Sequence, residues 1–107
     1  MVRGTTPTFI LSFGENSDVD LASAQNIYFT IEQKGTEITK TGDDIVLSEG
    51  NTVSVFLNQR ESFQLSEGAA DIQLNWTYRD SNDALRRAAT KAKTIQISKQ
   101  LLGRVVE

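Results

Sequence analysis

Between Ala70 and Asp80 the chain sets Ile72, Leu74, Trp76 and Tyr78 at every second position, with Gln73, Asn75 and Thr77 between them. A period of two belongs to a β-strand with one buried face and one wet face. The stretch holds the only tryptophan and one of the two tyrosines, so any fold of this chain has to close its core over that face. Shorter runs repeat the pattern. Phe9, Leu11 and Phe13 alternate with Thr8, Ile10 and Ser12, and Ile27, Phe29 and Ile31 alternate with Tyr28, Thr30 and Glu32. Val53, Val55 and Leu57 share a face, with Phe56 on the other. The predicted core anchors are Phe9, Phe29, Val55, Leu57, Leu74 and Trp76.

The residues between the runs carry turn chemistry. Thr5-Thr6-Pro7 opens extended, because the residue before a proline is pushed out of the helical region, and the proline suits the start of an edge strand. Lys34-Gly35 predicts a tight hairpin between Asn26–Lys34 and Thr36–Lys40. Turns at Thr41-Gly42-Asp43-Asp44 and Glu49-Gly50-Asn51 enclose a short strand marked by Ile45 and Leu47. Asn58, with Glu61 three residues on, has N-cap spacing, which predicts one helical turn bridging two sheets, held down by Phe63 and Leu65. Gly14–Ala24 reads as a polar, acidic loop with a possible helical turn capped by Asp20.

Two patterns compete after Asp80. Leu85, Ala88, Ala89 and Ala92 stand at helical spacing behind Asp83 as a cap. A strand over the same residues gives the Trp76 strand a neighbour. The reading favours a strand from about Leu85 to Lys99, interrupted by a bulge. Seven or so short strands with turns every 8–12 residues predict an all-β fold, a compact antiparallel β-sandwich, Ig-like or jelly-roll-like. Residues 1–107 form a single domain in this reading, with an N-terminal arm (1–7) and a C-terminal apolar tail (100–107).

At 107 residues and 11.8 kDa the chain is long enough for one sizeable core. It contains neither cysteine nor histidine, which removes disulfides, thiolate nucleophiles, most zinc sites and the commonest general base. No catalytic, cofactor-binding or metal-binding residue is assigned, and an enzyme is not expected. No apolar run nears the roughly 18 residues of a membrane span, and Met1–Pro7 has no apolar signal core. The expectation is a protein made in the cytoplasm, with no membrane, nucleic acid or small-molecule substrate as partner. The net charge of −3 is uneven: residues 1–70 carry four basic and ten acidic side chains (4 − 10 = −6), residues 71–107 seven and four (7 − 4 = +3). Such a division can favour head-to-tail contact between identical subunits, but a solvated mixed surface is the favoured reading.

Several clusters invite a functional reading, each beside a blander one. Glu15, Asn16, Asp18 and Asp20 offer oxygens but lack the glycine and terminal glutamate of an EF-hand loop, so a solvated acidic loop is favoured; Asp43-Asp44 is treated alike. Asn75-Trp76-Thr77 matches a glycosylation sequon but lies mid-strand. Arg79, Arg86, Arg87, Lys91 and Lys93 form a basic run near Trp76 and Tyr78, yet the isoelectric point near 4.9 argues against nucleic acid. Tyr28 and Phe56, each opposite its strand's aliphatic side, are candidates for stacking on a sugar ring, although coverage of both strand faces in a sandwich or multimer is the favoured reading. The termini carry more weight: Arg3, Thr5, Thr6 and Pro7 at one end and Leu101, Leu102, Val105 and Val106 at the other are read as assembly arms reaching a neighbouring subunit.

Arg3-Gly4-Thr5-Thr6-Pro7-Thr8-Phe9, followed by a strand ending in Phe13, resembles the opening of small, roughly 100-residue prophage-encoded virion proteins from tailed phages of gut bacteria. The similarity continues in outline through Ile27–Gly35, Thr52–Phe63 and Ile72–Leu74, while Arg86–Lys93 departs in being richer in alanine and lysine. The resemblance implies a structural subunit in the tail, baseplate or fibre region, or a head accessory protein, partnered by copies of itself and other virion proteins. It supplies no catalytic or ligand residues. The alternative expectation is a β-sandwich module that binds a carbohydrate or surface polymer.

Overall fold

The structure is a computed structural model and describes residues 1–13, 21–49 and 51–99. The architecture is an antiparallel β-sandwich. Its strands are β1 (Thr8–Ser12), β2 (Asn26–Gln33), β3 (Thr36–Thr41), β4 (Ile45–Ser48), β5 (Thr52–Phe56), β6 (Gly68–Arg79), β7 (Leu85–Ala89) and β8 (Lys93–Ile97), with one short helix, α1 (Gln59–Phe63). A three-stranded sheet runs β1-β5-β4. The larger sheet runs β3-β2-β6-β7, with β8 also pairing β6. Hairpins β2–β3, β4–β5 and β6–β7 stay within a sheet, while the links β1–β2, β3–β4 and β5–β6 cross between sheets.

Local chemistry accounts for the turns. Lys34 and Gly35 both take positive φ (+47° and +89°), as the two central residues of a type I′ hairpin turn must. A 3-10 turn at Gly42–Asp44 carries the chain from β3 to β4. The predicted crossing at Asn58 forms a complete capping box: its side chain accepts from the Glu61 amide at 2.8 Å, and Glu61 accepts from the Asn58 amide at 3.0 Å. One turn of helix suffices because Leu65, just beyond it, is fully buried.

The core lies between the sheets. From the larger sheet come Phe29, Ile31, Ile38, Ile72, Leu74, Trp76 and Ile97, and from the smaller one Val53 and Val55, with Leu57 just beyond β5. Five of the six predicted anchors are buried; Phe9 is half-buried against the cluster, its ring 5.3 Å from that of Phe29. Register carries the alternation across strands: Trp76 faces Ile27 and Ala88, and Leu74 faces Phe29.

Residues 85–89 and 93–97 are strand, as the competition for β6's edge requires. Asn75 faces Ala89 and Ile72 faces Lys93, so Gln73 and Leu74 stand opposite three residues, Thr90, Lys91 and Ala92. That extra residue is a bulge, which splits the last strand into β7 and β8. Eight strands therefore stand where about seven were expected. Thr90 repairs the ladder: its amide donates to the Leu74 carbonyl (2.9 Å), its Oγ1 accepts from the Leu74 amide (3.1 Å), and its carbonyl accepts from Gln73 Nε2 (2.7 Å).

Candidate functional site

A sandwich has two outer faces, and here they differ in chemistry. On the three-stranded sheet, β1, β5 and β4 put Ile10, Ser54 and Val46 in one cross-strand row, with Thr8 and Phe56 in the next. Ile10 is 68% exposed, Val46 58% and Phe56 50%. These side chains sit at alternating positions of strands whose other face supplies the core, so burial within the domain leaves them outside. A groove of about 290 Å³ beside Val46 and Phe56 has Asp43 and Asp44 on its wall. Among the described residues, no strand pairs the outer edge of β1 or β4. Two open edges and an apolar face are features that folded proteins ordinarily avoid unless something covers them.

The outer face of the larger sheet is polar. Tyr28 lies between Thr41 on β3 and Asn75 on β6, with Thr30 two residues along its own strand. A basin of about 380 Å³ opens there, bounded by Glu37 and Thr39 on one side and Thr77 and Arg87 on the other. Tyr28 and Phe56, paired in sequence as sugar-stacking candidates, therefore occupy opposite outer faces and cannot serve one ligand.

The basic run of residues 79–93 does not form one patch. Arg86 faces Tyr78 and Arg87 faces Thr77, neighbours on β6 that point to opposite sides of the sheet. Arg86 Nε donates to Asp80 Oδ2 at 2.9 Å, while Asp80 Oδ1 accepts from the Asn82 and Ala84 amides. The Arg86 hydrogen bond, followed by those from the Ala84 and Asn82 amides, holds the Asp80 carboxyl below its ordinary range. Arg79 donates to the carbonyl of Asp83, which sits at φ +61°. Trp76, the nearest tryptophan a base could stack on, is buried.

The N-terminal stretch, expected as an arm reaching a neighbouring subunit, lies against its own domain. Val2 bridges Ser98 in parallel, Arg3 donates its amide to Ser98 (2.9 Å), and Ser98 donates to the Met1 carbonyl (2.7 Å). The Arg3 guanidinium donates to the carbonyls of Phe63 and Leu65 and stacks 4.9 Å from the centre of the Phe63 ring. Gly4 donates to Ser62 Oγ at 2.8 Å, and the Pro7 carbonyl accepts from Leu57. Arg3 and Pro7 thus close the fold; of the four expected arm residues here, Thr6 is exposed and Thr5 half-buried. The other expected arm residues, Leu101, Leu102, Val105 and Val106, lie outside the described residues. So do Glu15, Asn16, Asp18 and Asp20.

A largely buried ion pair has no signature in the sequence. Lys40 Nζ meets both oxygens of Glu61 at 2.8 and 2.7 Å, joining β3 to α1. Desolvation pushes the Glu61 carboxyl up, but the Lys40 hydrogen bond, the Asn58 amide and the Lys40 charge outweigh it and hold the group below its ordinary value. The pair ties down the crossing between sheets, and Lys40 also lines the groove beside Val46 and Phe56. Among the described residues, no three acidic side chains gather as a metal site would need.

No protein-family model matches the chain, and a search of curated proteins returns no significant match.

Proposed function

We propose that the chain is a structural subunit of a tailed-phage particle, working by symmetric assembly with copies of itself and with other virion proteins. Its place is the tail, baseplate or fibre region, or the head surface as an accessory protein. The observation that carries the reading is the apolar patch of Ile10, Val46 and Phe56 on an outer sheet face whose two edges pair with no strand among the described residues. Covering such a face returns about 25 cal/mol for each Å² of apolar surface removed from water. The occupant is a second copy of this chain. The wall of Asp43 and Asp44 matches in charge the exposed Lys91 and Lys93 at the β7–β8 turn. A contact between two different patches is heterologous, and when its rotation closes it builds a ring.

Sedimentation velocity tests the proposal. The wild type is expected to sediment as a multimer that weakens as salt is raised. Ile10→Asp and Phe56→Asp are expected to give monomers with unchanged circular dichroism, since both side chains face outward. A wild type that stays monomeric up to millimolar concentration, or variants that assemble as the wild type does, overturns it.

A further inference from the structure

We infer that the outer face of the larger sheet binds a neutral, hydroxyl-rich saccharide across Tyr28. This surface is separate from the proposed assembly face and shares no residue with it. The basin of about 380 Å³ falls within the roughly 300–1,000 Å³ usual for small-molecule sites. Its composition selects the ligand. Tyr28 is the aromatic ring on the open floor, Trp76 being buried, and the side chains beside it on β2, β3 and β6 are short: Thr30, Thr39, Asn75 and Thr77. Short neighbours leave the ring accessible to a flat apolar surface while surrounding it with hydroxyl and amide groups that both donate and accept. A pyranose has that character, with C–H groups on its face and hydroxyls around its rim.

The polar groups are also loosely engaged. Thr30 and Thr39 hydroxyls stand 3.3 Å apart, Thr39 reaches Glu37 at 3.2 Å, and Arg87 and Asn26 reach Asn75 and Thr77 at 3.4 Å each. These are long hydrogen bonds, in contrast to the 2.7–2.8 Å contacts of Lys40 with Glu61. Sugar hydroxyls that replace them exchange weak bonds for shorter ones, on side chains already held in a sheet. Charge sets the remaining preference. Glu37 on β3 and Arg87 on β7 stand at diagonally opposite rims, three strand spacings (roughly 14 Å) apart across the sheet and six residues (roughly 20 Å) apart along it, since Glu37 faces Glu32 and Arg87 lies in the row of Asn26. A polyanion meets Glu37 and the adjacent Glu32, and a polycation meets Arg87. A neutral chain lying diagonally over the sheet can hydrogen-bond to both rims. An extended peptide is disfavoured, because the backbone groups of β2 and β6 are already paired on both sides and offer it no ladder.

The test is a titration of the ¹⁵N-labelled full chain with three neutral probes, cellohexaose, mannohexaose and chitohexaose, followed by amide shifts. At least one is expected to give saturable shifts centred on Tyr28, Thr30, Asn75 and Thr77. Tyr28→Ala is expected to weaken binding at least tenfold, while Phe56→Ala, on the other face, leaves it unchanged. Arg87→Ala, at an exposed position, is expected to weaken binding several-fold and provides the test if Tyr28→Ala fails to fold. Absence of saturable shifts with all three probes, or binding that survives both basin variants, overturns the inference.

Discussion

Trp76 belongs to the apolar cluster between the sheets, and its alternation with Asn75 and Thr77 makes that legible in the sequence alone. Trp76→Ala should cost about 3–5 kcal/mol in a denaturant titration; a loss below about 1 kcal/mol would mean the indole does not pack as described. Gly4 stands in the Arg3–Phe9 motif with no local pattern to explain it, and the fold supplies the reason. Its φ is +79°, and a Cβ there would overlap the Phe63 ring. Gly4→Ala should therefore destabilise by about 1–3 kcal/mol, measured the same way. The buried polar residues are not legible in sequence. Gln33, Lys40 and Ser62 read as surface residues because their partners lie 33, 21 and 58 positions away, and no local pattern encodes such pairings. Glu61 carries a pH signature. Its folded carboxyl lies below its ordinary value, so the Lys40 pair stabilises fully above the ordinary glutamate range and is lost as pH falls through the lowered one. Glu61→Gln should flatten the acid limb of a melting-temperature profile measured from mildly to strongly acidic pH; an unchanged limb would show that other carboxylates set it.

The segment from Leu85 to Ile97 shows how tertiary context decides an element. Its alanines favour a helix locally, but β6 is 12 residues long and would have an unpaired edge beside its buried face. Pairing that edge wins. The sequence suggests a bulge but not its position, because the repair depends on one hydroxyl at Thr90 meeting the Leu74 amide across the strand. Thr90→Val keeps the shape and leaves that amide without its acceptor, at an expected cost of about 1–3 kcal/mol, with Thr90→Ser close to wild type. Equal stability of the valine and serine variants would show that the hydroxyl does not hold the bulge. Turns and the capping box are readable because their chemistry is local: Lys34-Gly35 and Asn58 with Glu61 need only a few neighbouring residues to declare themselves.

At the scale of the molecule, the sandwich separates two surfaces that sequence alone does not assign to different sides. Tyr28 and Phe56 look alike in an alternation pattern, each an aromatic on the wrong face of its strand. Only the strand order sends one to a polar basin and the other to an apolar patch with Ile10 and Val46. Ile10 carries a readable signal, an isoleucine among the polar positions of Thr8 and Ser12, though its partner Val46 is fixed by register on β5. In the proposed assembly the apolar face is covered and the Tyr28 face stays open. Hydrogen exchange of the wild type at low and high protein concentration tests this most directly. Amides of Thr8–Ser12 and Ile45–Ser48 are expected to gain protection as concentration rises, while those around Tyr28 do not. Exchange in β1 and β4 that is the same at every concentration would contradict it.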